Sequence, residues 1–138
     1  MNRDDLKNLS RVRITEARVL LNAGHYAGAY YLAGYSVECA LKACISRKVK
    51  RYDFPDKKLA NDSFTHNLVS LVNLAGLQPN LTAFLHSNST FAVNWALAKD
   101  WSEAARYSLA ITRLEANDMY SACTSRTHGV LPWIRKVW

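Results

Sequence analysis

The residue types best suited to chemistry in this sequence are one acid paired with one base, and two arginines. Glu38 precedes Lys42 by four positions, which is the favourable orientation for an ion pair on a helix. This pair has two interpretations, a surface ion pair or a functional polar seam on an otherwise apolar helix. We expect any chemistry of the protein to lie near this seam.

The two arginines, Arg106 and Arg113, also have two interpretations. They lie seven positions apart, which is two turns of a single helix. Guanidinium groups beside apolar helix faces are seldom left unpaired, so these two bind either carboxylates of the protein or phosphate oxygens of a ligand. The candidate carboxylates are those of Glu38, Asp100 and Glu115. Both interpretations remain open at the level of sequence.

Two histidines are the candidates for general acid or base catalysis. His66 follows Thr65, the predicted N-cap of a helix, so it either transfers protons or stabilises that turn. His128 follows Arg126 with one residue between them. Arg126 and His128 therefore form the second catalytic candidate.

The aromatic residues near these positions predict a groove. Trp101 and Tyr107 are expected to line it together with Glu38. For Trp101 the alternatives are packing in the core and stacking on a nucleic-acid base.

The formal charge of +7, from 18 Lys and Arg against 11 Asp and Glu, is concentrated in one region. Seven basic residues lie around the predicted end of the second helix: Lys42, Arg47, Lys48, Lys50, Arg51, Lys57 and Lys58. A helix dipole favours cations at a helix C-terminus, and an anionic partner would favour the same cluster. The residues predicted to contact RNA or a nucleotide are Arg106, Arg113, Lys42, Arg47, Lys48, Lys50 and Arg51.

Length and composition predict one globular domain over residues 1–138. No apolar run approaches the length of a membrane span, and the first residues do not resemble a signal peptide, so we expect a cytoplasmic protein without membrane contact. The three cysteines lack metal-ligand spacing, which predicts buried, reduced thiols. No motif indicates a metal ion or a cofactor.

Helical periodicity predicts an all-α protein, an antiparallel up-and-down bundle of four to five helices. The central element is the second helix, over residues 24–47, whose apolar and small residues recur at three- and four-residue steps. The other predicted helices cover residues 4–22, 66–75, 79–85, 91–99 and 102–126, and a short terminal turn begins at Pro132. Residues 52–63 are expected to form a loop.

The predicted helix over residues 102–126 is apolar on two faces. Tyr107, Ile111 and Leu114 lie on one of these faces, and the polar stripe of Arg106, Arg113 and Asn117 separates it from the other. Because one chain of this size has difficulty burying both faces, the pattern predicts a homodimer.

Several segments resemble a bacterial branch of the HEPN-domain family. They are AGAYYLAGYSVECALKA (residues 27–43), Thr65-His66-Asn67-Leu68, Trp101-Ser102-Glu103 followed by Arg106-Tyr107, and Gly129-Val130 followed by Trp133-Ile134. The resemblance spans nearly the whole chain. It implies a bundle of four or five helices and a role in toxin–antitoxin or phage-defence systems.

The resemblance implies three alternative functions. Many HEPN proteins are metal-independent ribonucleases with an Arg, four to six residues and a His on a late helix, but Arg126 and His128 have one residue between them. Arg18 and His25 match the spacing of the ribonuclease motif, but they lie at the first turn between helices and not on a late helix. The first expectation is that the chain binds nucleic acid or nucleotides. The second is that it cleaves RNA with a displaced constellation such as Arg106, His66 or Arg126 with His128. The third is that it binds a nucleotidyltransferase or antitoxin partner without catalysis.

Overall fold

The computed structural model describes residues 1–49 and 56–138, and over these residues the protein is an all-α bundle without strands. The helices are α1 (Arg3–Asn22), α2 (Tyr26–Lys48), α3 (Lys57–Asp62), α4 (Leu68–Leu74), α5 (Gln78–Ser87), α6 (Ser89–Lys99), α7 (Arg113–Thr124) and α8 (Val130–Arg135), with a 3-10 helix (Glu103–Tyr107) between α6 and α7. The all-α prediction is confirmed. The number of helices is larger than expected, in part because α3 forms where a loop was expected and α8 forms where a short terminal turn was expected.

The second helix is the centre of the fold, as its periodicity predicts. More than half of α2 is buried, from Ala29 to Ile45. Gly24 ends the connection from α1 with a φ of 82°, a conformation that glycine adopts without steric cost. The short turn returns α2 antiparallel along α1.

Two buried serines hold α1 against α2. The Ser10 hydroxyl donates to the carbonyl oxygen of Ser36 at 2.8 Å, and the Ser36 hydroxyl donates to the carbonyl oxygen of Ser10 at 2.7 Å. Both residues are fully buried. Because each hydroxyl is satisfied, the two helices approach closely without leaving a buried polar group unpaired.

Gly34 gives Trp101 its place in the core. A Cβ atom on Gly34 would overlap the indole ring, so the ring packs directly on the backbone of α2. Trp101 is only 2% exposed. It is therefore a core residue, which agrees with the first of the two interpretations of Trp101.

The predicted helix over residues 102–126 is interrupted, which corrects the expected wheel. The Ser102 side chain makes no capping hydrogen bond, and the 3-10 helix that follows ends at Tyr107. The long helix begins only at Arg113, where Thr112 and Glu115 form a capping box. Arg106 and Arg113 therefore lie on different elements, and the two-faced helix that predicted a homodimer does not form.

Two further boundaries differ from the prediction. Residues 57–62 form α3 because the Asp56 side chain accepts hydrogen bonds from the Lys58 and Leu59 amides, whereas a loop was expected. Residues 52–55 of that expected loop lie outside the described residues. The N-cap of α4 is Asn67, which accepts from the Ser70 amide, and not Thr65.

The start of α5 and the break between α5 and α6 agree with the sequence prediction. Pro79 lies in the first turn of α5, and the predicted break at Asn88 is the N-cap of α6.

Within residues 1–49 and 56–138, no single helix combines the length and the apolar composition needed to cross a bilayer. Only α4 and α5 taken together reach that length and composition, and they are bent by 115°.

Candidate functional site

The polar seam of α2 is centred on a buried carboxylate. Glu38 is 2% exposed. Its Oε1 atom accepts a hydrogen bond from Lys42 Nζ at 2.9 Å, which confirms the predicted ion pair. The same oxygen lies 2.9 Å from Nδ1 of His66. One carboxylate oxygen thus holds two basic side chains.

His66 reaches this seam from the segment between α3 and α4, 28 positions along the chain. A carboxylate oxygen accepts hydrogen bonds, so Nδ1 is the donor in this contact. The His66 side chain is 45% exposed. A partly exposed histidine held by a buried carboxylate is able to act as a general base through its second ring nitrogen.

A row of stacked aromatic rings continues the seam along α2. The rings of Tyr31 and Tyr35 lie 6.0 Å apart, and those of Tyr31 and Trp101 lie 5.9 Å apart. Burial, followed by the neighbouring Cys39 and Glu38, raises the pKa of Tyr35 above its usual range. The Tyr35 phenol therefore stays neutral at physiological pH.

Arg106 and Arg113 are exposed and form no ion pair with any carboxylate in the part of the chain that the structure describes. The guanidinium carbon of Arg106 lies 4.9 Å from the centre of the Tyr107 ring. Glu115, one of the predicted carboxylate partners, instead accepts from the Thr112 amide and hydroxyl. The first interpretation of these arginines, a salt bridge within the protein, is therefore not observed within residues 1–49 and 56–138.

A larger group of cations surrounds the indole of Trp138. The distances to its ring centre are 4.9 Å from the guanidinium carbon of Arg11, 5.5 Å from Lys7 Nζ and 5.5 Å from the guanidinium carbon of Arg135. Two more arginines donate to backbone carbonyls beside this indole. We call these five residues the Trp138 cluster: Arg3, Lys7, Arg11, Arg47 and Arg135.

Main-chain oxygens accept hydrogen bonds from two members of the Trp138 cluster. Arg3 donates to the main-chain oxygen of Trp138, and Arg47 donates to the carbonyl oxygen of Val137 at 2.7 Å. No member of the cluster is ion-paired to a carboxylate within the described ranges. Burial, followed by the nearby charge of Arg11, lowers the pKa of Arg135. The cluster is therefore a concentration of positive charge without side-chain carboxylate partners among the described residues.

Sequence reasoning identified one member of the cluster, Arg47, as a binding residue. The three members on α1 recur at intervals of four residues, which places Arg3, Lys7 and Arg11 on one face of the helix. That spacing could have identified a basic face on α1. Their convergence on Trp138, more than 120 residues away, depends on tertiary packing and has no local signature.

The other predicted binding residues have separate surroundings. Lys42 belongs to the seam, and Lys48 donates to the carbonyl oxygen of Leu74 at 3.1 Å. Lys50 and Arg51 lie outside the described residues. The predicted groove residue Tyr107 is exposed beside Arg106.

The second catalytic candidate is not assembled as a pair. His128 Nδ1 accepts from the Asn88 side chain at 3.0 Å, and its carbonyl oxygen accepts from Asn94 at 2.9 Å. No hydrogen bond joins it to the exposed Arg126 among the residues described. His128 therefore ties the α7–α8 connection to α6.

The cysteines agree with the prediction of buried thiols, since all three are buried and free of disulfides. Burial raises the pKa of Cys39 to about 11, so its thiol stays protonated. No group of side chains suited to a metal ion occurs among the described positions.

Comparison of the chain with protein-family models, curated proteins and solved structures finds no match in any of the three. The HEPN resemblance stays a prediction that depends on the four quoted segments.

Proposed function

We propose that this helical bundle binds RNA or nucleotides and that the Trp138 cluster contacts their phosphates. The observation that carries the proposal is the convergence of Lys7, Arg11 and Arg135 within 5.5 Å of one indole ring without a carboxylate partner in the described chain. Guanidinium groups match phosphate oxygens in geometry and charge.

The helix dipole accounts for one of these cations, because Arg47 lies in the last turn of α2, where a positive charge is favoured. The positions of three others argue against a purely structural role. Arg3 is the first residue of α1, where the dipole disfavours one. Like charges four residues apart, such as Lys7 and Arg11, are also destabilising by a few tenths of a kcal/mol. A bound polyanion would reverse these costs.

A second surface supports the same function. Arg106 is exposed, has no carboxylate partner in the described chain, and lies beside Tyr107. Aromatic rings with adjacent arginines are a common platform for stacked bases. We include Arg106 and Arg113 as further contacts of a bound strand.

Arg11→Ala should weaken binding of a fluorescently labelled single-stranded RNA about tenfold, because one charge-assisted contact contributes about 1.5 kcal/mol. Lys58→Ala is the matched control. It also removes one positive charge, but Lys58 is exposed and already paired with Asp62 at 2.7 Å. We expect less than a twofold change for Lys58→Ala, as measured by fluorescence anisotropy.

Equal affinities of the two variants would contradict a phosphate site at the Trp138 cluster. Arg106→Ala, measured in the same series, separates the two surfaces. A loss as large as that of Arg11→Ala would assign both surfaces to the bound strand. Circular dichroism and thermal melting of each variant show whether the fold is retained.

The enzyme alternative, a metal-independent ribonuclease, is favoured by the hydrogen bond between Glu38 and His66. In such a reaction Nε2 of His66 would take the proton of a ribose 2′-hydroxyl. The 2′-oxygen would then attack the adjacent phosphorus, and the 5′-oxygen would leave with a proton from solvent. This alternative requires the scissile phosphate to lie near the exposed side of His66.

If this alternative holds, His66→Gln should lower the rate of RNA cleavage by at least a hundredfold, since positioned acid–base groups contribute 10²- to 10⁴-fold. The matched control is His86→Gln, which changes an exposed histidine on α5 that is not a catalytic candidate. Cleavage of labelled RNA on denaturing gels measures both. Unchanged cleavage by His66→Gln would exclude His66 as the base. Absence of cleavage by the unmodified protein would exclude the enzyme alternative and leave only the proposal of RNA or nucleotide binding.

The biological setting is also a proposal. The HEPN resemblance supports a toxin–antitoxin or phage-defence component, acting as a homodimer or with a nucleotidyltransferase or antitoxin partner. Leu109 is 96% exposed and Leu114 is 69% exposed, on either side of the N-cap of α7. Apolar side chains with this exposure support burial against a second protein chain.

A further inference from the structure

We propose that an acidic amphipathic helix of a partner protein docks on the surface around the connection between α1 and α2. Two open depressions lie on this surface. The first has a volume of about 270 Å³ and is lined by residues 24–28 together with Leu109 and Ile111. The second has a volume of about 240 Å³ and is lined by four residues of α1: Thr15, Glu16, Val19 and Leu20.

The two depressions form one continuous surface. Gly28 lines the first and Leu20 lines the second, and a Cβ atom on Gly28 would lie 3.1 Å from the end of the Leu20 side chain. The apolar side chains at this surface are open to solvent, since Leu109 is 96% exposed and Val19 is 60% exposed. Single exposed apolar residues are ordinary, whereas neighbouring ones around two depressions indicate an interaction site.

The size of the depressions favours protein side chains over a free small molecule. Both volumes are below the range of about 300–1,000 Å³ that is typical of small-molecule sites. Two adjacent depressions instead suit two apolar side chains on one face of a helix, because amphipathic helices bind apolar grooves through anchors spaced in this way. The occupant is therefore a segment of a protein.

Charge complementarity selects an acidic segment. Arg18 precedes Val19 on α1, is exposed, and forms no ion pair within residues 1–49 and 56–138. The acid at the second depression, Glu16, is already paired with Arg13 at 2.6 Å. The first depression lies at the N-terminus of α2, the positive end of its dipole, where no side chain forms a capping hydrogen bond. Carboxylates of a partner would complement these positive charges.

The same charges disfavour a second copy of this chain. A symmetric contact through this surface would bring two Arg18 side chains and two helix N-termini together, and like charges across an interface lower the affinity. A nucleic-acid strand would match the charge, but its phosphates would lose hydration against Leu109 and Val19. Both occupants are therefore less favourable than an acidic helix.

This inference names the chemistry of the second protein chain proposed above and rests on that proposal. It is independent of RNA binding at the Trp138 cluster, because no member of that cluster lines either depression.

The test titrates a synthetic helical peptide into the full chain. The peptide has leucines at three- and four-residue spacing and glutamates at the other positions. Binding is followed by chemical-shift changes in ¹H–¹⁵N NMR spectra, and we expect saturable shifts of the amides of Val19, Gly28, Leu109 and Ile111. The same peptide with lysine in place of every glutamate should bind about tenfold more weakly.

Leu109→Ser should weaken binding of the acidic peptide about tenfold, because one apolar contact is lost. The matched control is Leu97→Ser on α6, since Leu97 is also exposed but lines neither depression. This control should leave the affinity unchanged. It also keeps the net charge, so it separates docking at the depressions from general attraction between the peptide and a basic protein.

Arg18→Ala provides a second variant and should weaken binding of the acidic peptide about threefold, as expected for one exposed ion pair. Lys99→Ala is its matched control, because it removes an exposed positive charge from α6 and lines neither depression. Thermal melting of each variant shows that the fold is retained.

Equal affinities of Leu109→Ser and Leu97→Ser for the acidic peptide, or shifts confined to residues outside the two depressions, would overturn the site. Displacement of the peptide from these amides by single-stranded RNA would assign the surface to nucleic acid and would also overturn the inference.

Sedimentation velocity of the unmodified protein and of Leu109→Ser tests the remaining occupant. Self-association that Leu109→Ser abolishes would assign the surface to a second copy. That result would overturn the acidic helix and leave the proposal of a second protein chain in place. Absence of both self-association and peptide binding would contradict both.

Discussion

Replacing Gly34 with alanine should destabilise the bundle by about 2 kcal/mol. The added methyl group would overlap the indole ring of the buried Trp101, and overpacking of this kind costs up to about 3 kcal/mol. Alanine in a helix recovers about 1 kcal/mol relative to glycine. The steric cost is the larger of the two effects. Chemical denaturation measures the difference in the free energy of unfolding.

Gly28→Ala is the matched control for this substitution in the same helix. A Cβ atom there would lie 3.1 Å from the end of the Leu20 side chain, which is able to rotate away. We therefore expect stability to remain unchanged or to rise by up to about 1 kcal/mol. If Gly34→Ala were as stable as Gly28→Ala, the packing of Trp101 on α2 would be incorrect.

The all-α fold and its central helix were predictable from sequence because the signals are local. In α2 the spacing of Ala33, Val37, Leu41 and Cys44 marks one face, and all four are buried. The Glu38–Lys42 pair was predictable for the same reason, since both residues lie on one helix four positions apart.

The boundaries were less predictable because capping signals compete. Ser102 and Thr112 are both suitable N-caps, each followed by a glutamate, and the apolar pattern continued through the segment between them. Only Thr112 forms the reciprocal hydrogen bonds of a capping box. The apolar periodicity therefore predicted a single helix where the structure has a 3-10 helix and α7.

The candidate sites depend on contacts that sequence spacing does not contain. His66 was predicted to start a helix and instead donates to Glu38 from the segment before α4. The Trp138 cluster joins residues of α1, α2 and α8 at the end of the chain. Pairing at this sequence separation follows from how the helices pack.

The affinity of the protein for single-stranded RNA should fall about 50-fold when the salt concentration rises fourfold. If the Trp138 cluster neutralises about four phosphates, counterion release gives a slope of about −3 in a plot of log K against log salt concentration. Neutral surfaces and purely apolar contacts would give almost no slope. This dependence follows from the number of cations that converge on Trp138.

The most direct test is to measure this slope by fluorescence anisotropy for the unmodified protein and for Lys7→Ala/Arg11→Ala. The double variant should reduce the slope by about 1.4, because it removes two phosphate contacts. Lys57→Ala/Lys58→Ala, with the same loss of charge on α3, should keep a slope near −3. Equal slopes for both double variants, or an affinity of the unmodified protein that does not respond to salt, would contradict phosphate binding at the Trp138 cluster.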